Sequence, residues 1–540
     1  MNKYALVALS ITGGIISGLA FTDWCSGLIL LIAFVPFFLI ENILFENSKK
    51  YSRNALFLYT LPGFVIFNIL AIGWVRIATI TGAIGIIMGL SFMMAFTFWL
   101  AHIIRLKAGN FIGFVSFVTF WMSFEFLNLH FTLLTPWLNL GNGLAKDIIF
   151  IQWYEVTGAA GGTLWILCSN LILSFYPGGT FKIKSARHGY FWIWLAIILI
   201  PSFISITRYY TIQQSKVGKE VVIIQPDVDP YSEKFKVPFE KQWGNVIEMA
   251  KSAVSEKTSW IITPETTVDD PVNEEDPDNN NYIKKAKKLA AAYPGVCIVA
   301  GMVSYKRYPL SIKAPTKSAR KIDASGIYYD HFNSAFKIDI GNTTVIYHKS
   351  KLVPGVEMQF SSGPGKLISK ILPGFGGTVW GYGIQKERTC FEHQGDSLKI
   401  APVICYESVF GNYVADYVRK GAGAIFIITN DGWWKNTKGY KQHLLFASIR
   451  AIETRRPVAR AANTGISCII DIKGRRIKES AWWSQAIITG EIFPETRVTP
   501  YVRYGDYLLY IASVLSSFIL VIIFIAIPLR KKYNSLLRSE

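Results

Sequence analysis

The sequence predicts an α-helical membrane bundle of about eight spans joined to a large α/β domain that is inserted before the last span. Three observations predict this fold class. Hydrophobic residues make up 51% of the 540 residues, which is too many for one soluble domain. Apolar runs long enough to cross a membrane lie near both ends of the chain. The middle is charged and alternates β-branched segments with helical ones.

The predicted spans follow the apolar runs, each long enough for a hydrocarbon core of about 30 Å. They lie at roughly 4–21, 26–45, 55–74, 80–104, 111–127, 150–176, 189–207 and 507–528. Only Lys3 precedes the first run and the second begins at once, so we expect the first to be retained rather than cleaved as a signal peptide. Residues 128–149 mix aromatic residues with Pro136 and Gly141, which favours an interfacial arm.

Basic residues predict the orientation of the bundle, because cytoplasmic loops carry an excess of Lys and Arg. Clusters follow the second, fourth, sixth and last predicted spans: Lys49, Lys50 and Arg53; Arg105 and Lys107; Lys182, Lys184 and Arg187; Arg530, Lys531 and Lys532. With the amino terminus inside, the sequence predicts a transmembrane bundle at 1–210 and an extracytoplasmic domain at 211–505. Residues 506–540 then hold the last span and a basic cytoplasmic tail.

Charge and cysteine usage exclude several classes of protein. The net charge is +19, and the basic residues lie in short clusters beside apolar runs. This placement indicates membrane orientation and no nucleic-acid binding. The six cysteines lack the paired spacing of a disulfide framework or a zinc ribbon, so we expect free thiols. Cys390 and His393 form an isolated Cys-x-x-His, which favours an ordinary loop. We therefore expect no metal site.

Segments rich in β-branched residues predict the strands of the outer domain. They are Val221–Gln225, Trp260–Thr263, Val296–Ala300, Thr343–Tyr347, Ala401–Cys405 and Ala424–Ile428. Helical stretches at about 238–256, 282–292 and 443–455 separate several of them. The alternation predicts an α/β domain large enough for its own core. Residues 269–281 are acidic and rich in turn formers, which predicts a mobile insertion.

Three of the predicted strands end in residues with complementary chemistry. These are Glu265, Lys349 and Cys405, and in open α/β sheets sites gather at the carboxyl ends of strands. A carboxylate can take the proton of a thiol, the thiolate can attack a carbonyl carbon, and an ammonium can stabilise the resulting oxyanion. Each residue alone has an ordinary structural explanation as a turn cap, a solvated charge or a small buried side chain. Together they predict a nucleophilic site centred on Cys405.

The segments around these residues resemble the Glu-Lys-Cys triad of the nitrilase superfamily, and nearly the whole chain resembles its membrane-embedded branch, the apolipoprotein N-acyltransferases. The triad segments are Thr263-Pro-Glu-Thr266, Tyr347-His-Lys-Ser-Lys-Leu-Val-Pro354 and Pro402-Val-Ile-Cys-Tyr-Glu407. The Asn430-Asp-Gly-Trp-Trp434 turn also matches, as does a helix and its continuation with His443, Arg450, Ala451, Glu453, Arg456, Pro457, Arg460, Ala461, Asn463 and Gly465. For the residues of that helix we expect structural roles. In this family a bundle of spans precedes an αββα sandwich and one span follows it, as in the predicted layout.

The resemblance implies further catalytic and supporting residues. It implies Lys349, rather than Lys351, as the catalytic lysine, because the family's Lys-x-x-Leu-Val-Pro segment ends in an essential glutamate that maps to Glu357. It implies that Tyr406 gives its backbone N–H to an oxyanion hole and that Glu407 supports the site.

Three residues are assigned to substrate binding. Phe235 stands where the family often has a tryptophan thought to help hold acyl chains, and it keeps the ring without the indole N–H. Trp433, in the Asn-Asp turn, and Asn333, in a segment that resembles the family's Asn-Ser strand, complete the assignment.

The function implied by the resemblance is a two-step acyl transfer without a cofactor. Cys405 attacks the ester of a phospholipid acyl donor, with Glu265 as base. The α-amino group of a diacylglyceryl-cysteine on an apolipoprotein then takes the acyl chain from the thioester. Membrane attachment suits lipid substrates. The implied protein is a monomer in the inner membrane, surrounded by membrane lipids, with its catalytic domain on the periplasmic side.

Two alternatives stay open. A membrane-tethered nitrilase-type amide hydrolase would use the same triad on a small amide. A transporter or scaffold would use the outer domain only to bind ligands, and a transport path would be expected to carry charges inside the spans. Few are found, namely Asp23, Glu41, Arg76 and Glu125. Glu125 is the exception to watch, and we expect it to be paired inside the bundle or at the interface.

Overall fold

The computed structural model describes residues 2–131, 135–175, 184–310, 313–322, 326–341, 343–358, 381–394, 396, 398–526 and 528. They divide into two compact units. The helical unit comprises Met1–Trp74, Ala83–Tyr210 and Asp506–Glu540. The α/β unit comprises Val75–Gly82 and Thr211–Gly505.

The helices, in chain order, are α1 (Lys3–Ala20), α2 (Leu30–Ala33), α3 (Val35–Glu46), α4 (Ala55–Ile72), α5 (Ile80–Ala108), α6 (Asn110–His130), α7 (Tyr154–Thr157), α8 (Ala159–Ser174), α9 (Lys184–Thr211), α10 (Phe239–Ala253), α11 (Asn281–Ala292), α12 (Gly411–Arg419), α13 (Lys438–Thr454), α14 (Pro500–Tyr504) and α15 (Tyr507–Val521). The strands are β1 (Lys219–Gln225), β2 (Thr258–Ile262), β3 (Val268–Asn273), β4 (Cys297–Tyr308), β5 (Arg320–Lys321), β6 (Tyr328–Ile338), β7 (Val345–His348), β8 (Phe391–Glu392), β9 (Lys399–Ile404), β10 (Ala422–Thr429), β11 (Val458–Ala462), β12 (Cys468–Ile470), β13 (Arg476–Glu479) and β14 (Ala486–Ile492).

Within the described ranges, seven helical segments are long and apolar enough to cross a membrane. They are Lys3–Ala20, Gly27–Glu46, Ala55–Ile77, Ile80–Ala108, Asn110–His130, His188–Thr211 and Tyr507–Ile525. The sixth predicted span, 150–176, is shorter in the structure, where Ala159–Ser174 forms an apolar helix. Gly158, with φ of 63°, separates that helix from the single turn of α7. Lys182 and the tail with Arg530, Lys531 and Lys532 lie outside the described residues.

Glu125 is buried and paired, as expected from the sequence. Its Oε1 accepts hydrogen bonds from the backbone N–H of Leu140 at 2.6 Å and from Trp121 Nε1 at 3.2 Å. Its Oε2 accepts from Thr163 Oγ1 at 2.7 Å. These bonds fix a 3₁₀ turn, Leu140–Leu144, against helices α6 and α8. Within the predicted arm at 128–149, residues 128–130 complete α6 and most of 135–145 is buried, while its position at the membrane interface stays a prediction.

The α/β unit contains two sheets that pack face to face. Sheet I has the strand order β14-β1-β2-β4-β6-β5, with β3 paired to β4 and β7 to β6, and sheet II has the order β13-β12-β11-β10-β9-β8. Strands β1, β2 and β4 are parallel, as are β9, β10 and β11. Trp260 of β2 meets Phe426 of β10 edge to face, with ring centroids 5.3 Å apart. This parallel centre brings strand carboxyl ends of both sheets together.

Helices cover the outer face of each sheet, which completes an αββα sandwich. Trp243 of α10 and Ile283 of α11 are buried in one core with Ile224 and Ile261 of sheet I. Helices α12 and α13 pack on sheet II. The burial of each helix along one face supplies the apolar contact that an isolated helix lacks. The predicted fold class, apolar helices long enough to span a membrane joined to an αββα sandwich, is confirmed.

The acidic segment 269–281 differs most from its prediction. Instead of a mobile insertion, its first residues belong to β3, which pairs with β4. Glu274 accepts hydrogen bonds from Ser304 Oγ at 2.5 Å and faces His348 Nε2 at 2.7 Å. Asp278 pairs with Lys287 at 2.8 Å. The mobile-insertion prediction was wrong because distant cationic and hydroxyl groups partner the acidic side chains.

Candidate active site

Glu265, Lys349 and Cys405 come together in the α/β unit, where strands of both sheets end. Glu265 follows β2, Lys349 follows β7 directly, and Cys405 follows β9 directly. All three are buried, with exposed fractions of 7%, 1% and 6%. Lys349 Nζ donates to Glu265 Oε1 at 2.8 Å, and the charges of Glu265 and Lys349 both act on the Cys405 thiol. The site thus groups a carboxylate, an ammonium and a thiol.

A second carboxylate and an amide complete the buried polar group. Lys349 Nζ donates to Glu357 Oε1 at 2.8 Å, and the backbone N–H of Val353 donates to Glu357 Oε2 at 2.9 Å. Asn333 Nδ2 donates to both carboxylates, to Glu265 at 2.7 Å and to Glu357 at 2.9 Å. The amide of Asn333 therefore serves the two carboxylates, which favours a positioning role over the substrate contact that the sequence suggested.

A glycine and a backbone amide hold the loop that carries Glu265. Gly301 lies in β4, and a Cβ atom there would stand 2.5 Å from the carbonyl oxygen of Pro264 and 2.6 Å from the Cα of Glu265. The backbone N–H of Asn430 donates to Glu265 Oε2 at 3.1 Å. Sequence reasoning missed Gly301, although a glycine inside a strand often marks a close backbone approach.

Cys405 occupies a strained turn that Glu407 holds in place. The φ of Cys405 is 50°, in the left-handed region that non-glycine residues avoid. Glu407 Oε2 accepts from the backbone N–H of Ile404 at 2.8 Å. Its Oε1 accepts from the backbone N–H of Ser350 at 2.7 Å and from the Tyr347 hydroxyl at 2.7 Å. One buried carboxylate therefore fixes the cysteine turn relative to the segment that carries the lysine.

The electrostatics define the resting protonation of the three residues. Burial raises the pKa of Glu265, but the charge of Lys349 and hydrogen bonds from Lys349, Asn333 and Cys405 outweigh it and hold that pKa below its ordinary value. Burial lowers the pKa of Lys349, but Glu265 and Glu357 reverse this and raise it well above the ordinary value. Burial and the charge of Glu265 raise the pKa of Cys405 well above that of a free thiol. At neutral pH the site holds a carboxylate, an ammonium and a protonated thiol.

A narrow cleft lies beside Glu265. Its lining residues are Pro226, Val228, Lys234, Gln242, Val246, Glu265, Thr266, Thr267, Asn430 and Asn463. Lys234 is buried in this wall, where its Nζ donates to Thr266 Oγ1 at 2.6 Å and lies 3.7 Å from Asp269 Oδ2. The Glu265 carboxylate is therefore next to a recess that several polar side chains line.

Two of the predicted substrate-binding residues are exposed aromatic side chains. Phe235 is 69% exposed and Trp433 is 39% exposed. Tyr231, also exposed, packs its ring against Trp433 at 5.6 Å and donates its hydroxyl to the Trp433 carbonyl at 2.7 Å. The Tyr406 ring is buried against Phe410 at 5.2 Å. The oxyanion-hole role of the Tyr406 backbone N–H stays a prediction.

The cysteine and histidine of the Cys-x-x-His segment point to different partners. Among the described residues, His393 stands with Cys297 and Asp339, whose ligand atoms lie within 4.8 Å of one another. Lys337 Nζ already pairs with Asp339 at 3.0 Å. Cys390 Sγ lies 3.6 Å from the carbonyl oxygen of Tyr417. An ammonium therefore already balances the carboxylate charge at this trio.

Comparisons with known proteins match both parts of the chain. A sequence model of the carbon-nitrogen hydrolase family matches residues 223–501, and a model of the apolipoprotein N-acyltransferase N-terminal domain matches residues 13–172. The apolipoprotein N-acyltransferase of Chlorobaculum tepidum is 26% identical over 511 residues, which are 92% of each chain. That of Geobacter metallireducens is 23% identical over 515 residues, 92% of this chain and 91% of the relative. The crystal structure of Saccharomyces cerevisiae Nit3, of the nitrilase superfamily, is 14% identical, with a TM-score of 0.36 over 53% of this chain and 93% of Nit3.

The sandwich fold and its buried glutamate, lysine and cysteine define the class of protein, a nitrilase-type enzyme domain. The family match covers more than half of the chain, since 223–501 is 279 of 540 residues. The chain belongs to the carbon-nitrogen hydrolase family, in its membrane-embedded branch, the apolipoprotein N-acyltransferases.

Proposed function

We propose that this protein transfers an acyl chain from a phospholipid to the α-amino group of the diacylglyceryl-cysteine of an apolipoprotein, through a thioester on Cys405. The observation that carries the proposal is the burial of Glu265, Lys349 and Cys405 together at strand ends, in a chain with several helices long and apolar enough to span a membrane. The relatives named apolipoprotein N-acyltransferase align over nine-tenths of both chains, which supports the same reaction and substrate class.

In the first half-reaction, Cys405 takes the acyl chain from the phospholipid. Glu265 accepts the thiol proton, and the thiolate attacks the ester carbonyl carbon. Two of the three N–H groups of Lys349 are used by Glu265 and Glu357, which leaves the third for the oxyanion that forms. Collapse of the intermediate breaks the C–O bond. The departing alcohol oxygen of the lysophospholipid takes the proton back from Glu265, and the acyl chain stays on sulfur.

In the second half-reaction, the α-amino group of the apolipoprotein attacks the thioester. The amine nitrogen forms a bond to the acyl carbon, the C–S bond breaks, and a proton from nitrogen returns to the thiolate. Glu265 and Glu357 both face Lys349 and both can accept a proton from the amine. The products are an N-acylated lipoprotein and the resting thiol.

The exposed aromatic side chains are assigned to lipid contact. Phe235 and the Tyr231 and Trp433 pair present apolar rings to solvent, which favours contact with acyl chains over a purely structural role. The protein acts as a monomer in the inner membrane with the catalytic unit on the periplasmic side. The placement of basic residues after alternate predicted spans supports this orientation, with the shorter apolar helix Ala159–Ser174 counted as the sixth span.

An amide hydrolase with the same triad is the alternative, and the names of the relatives do not favour it. The test incubates the purified full chain with phospholipid and a diacylglyceryl lipopeptide and reads both masses. We expect one acyl chain on Cys405 without peptide, and its appearance on the peptide amine when peptide is added. The Cys405→Ala variant should show neither. Release of free fatty acid at the same rate with and without peptide would contradict acyl transfer.

A further inference from the structure

A buried lysine lies in a loop whose other residues are mostly exposed. Between β1 and α10, residues 231–233, 235 and 236 are exposed, whereas Lys234 is only 6% exposed. Phe235, directly beside it, is 69% exposed. Lysine is almost never fully buried without a partner, and phenylalanine is among the residue types most often buried. The loop therefore places an ammonium inside the protein and an apolar ring outside, which hydrophobic packing does not explain.

The ammonium of Lys234 contacts Thr266. Lys234 Nζ donates to Thr266 Oγ1 at 2.6 Å and lies 3.7 Å from Asp269 Oδ2. The backbone of Lys234 is fixed as well, since its N–H donates to the Asp229 carbonyl oxygen at 2.9 Å and its carbonyl oxygen accepts from Gln242 Nε2 at 2.9 Å. Asp269 thus balances the buried charge, and the hydrogen bond directs the ammonium to Thr266.

Thr266 directly follows Glu265 and has an unusual backbone conformation. Its φ is 47°, in the left-handed region, where a β-branched residue is an outlier. On the other side of Glu265, the Pro264 carbonyl oxygen accepts from the N–H of Gly301 at 3.1 Å. The turn that carries Glu265 is therefore held from both sides, by β4 through Pro264 and by Lys234 through Thr266.

The backbone of Glu265 must be fixed because its carboxylate is shared among three other segments. Oε1 accepts from Lys349 Nζ at 2.8 Å and from Asn333 Nδ2 at 2.7 Å. Oε2 accepts from the backbone N–H of Asn430 at 3.1 Å. These donors come from β6 and from the segments after β7 and β10. A shift of the Glu265 backbone would weaken these bonds and move the carboxylate relative to Cys405.

We infer that Lys234 is a positioning residue that fixes the turn of the catalytic base Glu265 by holding Thr266. It is a positioning residue because its contacts are to Thr266 and Asp269 and not to the reacting atoms. The inference rests on the proposed role of Glu265 as base. The competing role is that of a structural ion pair with Asp269, which would not act on Glu265 through Thr266.

The first test measures the rate of thioester formation on Cys405 over a range of phospholipid concentrations, with the full chain in detergent micelles. Lys234→Met should lower the maximal rate about tenfold and leave the half-saturating concentration unchanged, because positioning acts on the chemical step. A wild-type maximal rate would overturn the inference, whether or not the half-saturating concentration rises. Lys236→Met is the matched control, since Lys236 is exposed in the same loop, and it should behave like the wild type.

The second test determines whether Lys234 acts through Thr266. Thr266→Val removes the hydroxyl, keeps the branching at Cβ and should also lower the maximal rate, whereas Thr266→Ser keeps the hydroxyl and most of the rate. The double variant with Lys234→Met and Thr266→Val should be no slower than Lys234→Met alone, because both changes remove the same hydrogen bond. Losses that multiply in the double variant would overturn the inference. If Lys234→Met unfolds, Thr266→Val and Thr266→Ser decide the question, since both keep the ion pair with Asp269.

The third test reports the turn without lipid or acyl transfer. The N–H of Gly301 donates to Pro264, so its hydrogen exchange, read by mass spectrometry, follows the opening of the turn. Exchange should be at least about threefold faster in Lys234→Met and Thr266→Val than in the wild type or Lys236→Met. Unchanged exchange in both variants would overturn the inference. Faster exchange in these variants, combined with a wild type that forms no thioester, would contradict the proposed function and leave the contact of Lys234 with the turn standing.

Discussion

Lys349→Met is the substitution with the sharpest expected outcome. It removes one positive charge from between two carboxylates and keeps an unbranched side chain. In the wild type the Lys349 side chain is 1% exposed and its Nζ lies 2.8 Å from both Glu265 and Glu357. The variant therefore leaves two buried acidic groups that share only the amide of Asn333.

The expected loss of stability depends on whether both glutamates stay ionised or one of them becomes protonated. Removing one partner of a buried ion pair typically costs about 3–5 kcal/mol. Protonating one glutamate at pH 7 instead, from an ordinary pKa of about 4.3, costs about 4 kcal/mol, so this route sets a similar limit. For a unit of this size we expect a fall in melting temperature of roughly 10 °C.

The sign of the pH dependence follows from the same charges. Without the charge of Lys349, burial dominates and raises the pKa of Glu265 in the folded state above its unfolded value. The deficit in the free energy of unfolding should therefore be largest at neutral pH and should shrink as the pH falls below about 4, where Glu265 is protonated in both states of the variant. Glu357→Gln added to Lys349→Met should recover part of the lost melting temperature, because one buried charge is removed.

The rate of thioester formation should distinguish Lys349 from Lys351. The assay follows the thioester on Cys405 by intact mass after mixing with phospholipid. Lys349→Met should lower the rate of its formation by at least about a hundredfold, since both the partner of the base and an oxyanion donor are lost. Lys351→Met is the matched control, because Lys351 Nζ lies over the Phe410 ring at 4.6 Å. Equal losses in the two variants, or a Lys349→Met variant with wild-type rate and stability, would refute the reasoning.

Three further substitutions test the surroundings of the site. Gly301→Ala places a Cβ 2.5 Å from backbone and should lower the thioester rate at least about tenfold, whereas Gly295→Ala, with nothing within 4 Å, should match the wild type in the same assay. Glu407→Gln replaces an oxygen acceptor by a donor in a buried network and should cost about 1–3 kcal/mol in denaturant unfolding; an unchanged midpoint would contradict its role as a clamp. Burial and two acidic neighbours raise the pKa of Asp227 to about 6, so ionised Asp227 opposes folding above that pH. Discounted for its partial exposure, Asp227→Asn should add about 1 kcal/mol of stability above pH 6 and none below about pH 4, and a gain at low pH would contradict this origin.

The residues at strand ends could be predicted because a local pattern marks them. A β-branched run followed by a reactive side chain identifies Glu265, Lys349 and Cys405 without any knowledge of the pairing between strands. The same local reasoning places α10 and α11 to within three residues of their observed ends, and the structure brings the three predicted residues to neighbouring strand ends.

The contribution of Asn333 could not be predicted, because it depends on strand register. Asn333 lies within β6, and the pairing of Ser334 with His348 places it beside Lys349. That pairing joins residues far apart in sequence, which local pattern does not encode. The prediction for the acidic segment 269–281 was wrong for a similar reason. Its composition indicates disorder, but the contact between Glu274 and His348 forms only when the chain has folded.

Lys349 pairs with two carboxylates, those of Glu265 and Glu357, and the second carboxylate matters when the acceptor amine takes the acyl chain. The α-amino group of an acceptor has a pKa of about 8, so at neutral pH it arrives mainly as an ammonium. Amide formation then releases two protons from nitrogen, one of which returns to the Cys405 sulfur. The other needs a second acceptor, and Glu357, 2.8 Å from Lys349, is placed to take it.

Glu357→Gln should therefore form the thioester at a rate close to that of the wild type but pass the acyl chain to the lipopeptide at least about tenfold more slowly. Glu265→Gln should fail already at thioester formation, because Glu265 is the acidic neighbour whose charge acts most strongly on the Cys405 thiol. Intact mass with and without lipopeptide separates the two steps. Raising the pH above about 8 should restore part of the transfer in Glu357→Gln, since the acceptor then arrives as a free amine. If Glu357→Gln slows both steps equally at every pH, Glu357 acts by orienting Lys349 and Asn333, and the division of labour between the two carboxylates is wrong.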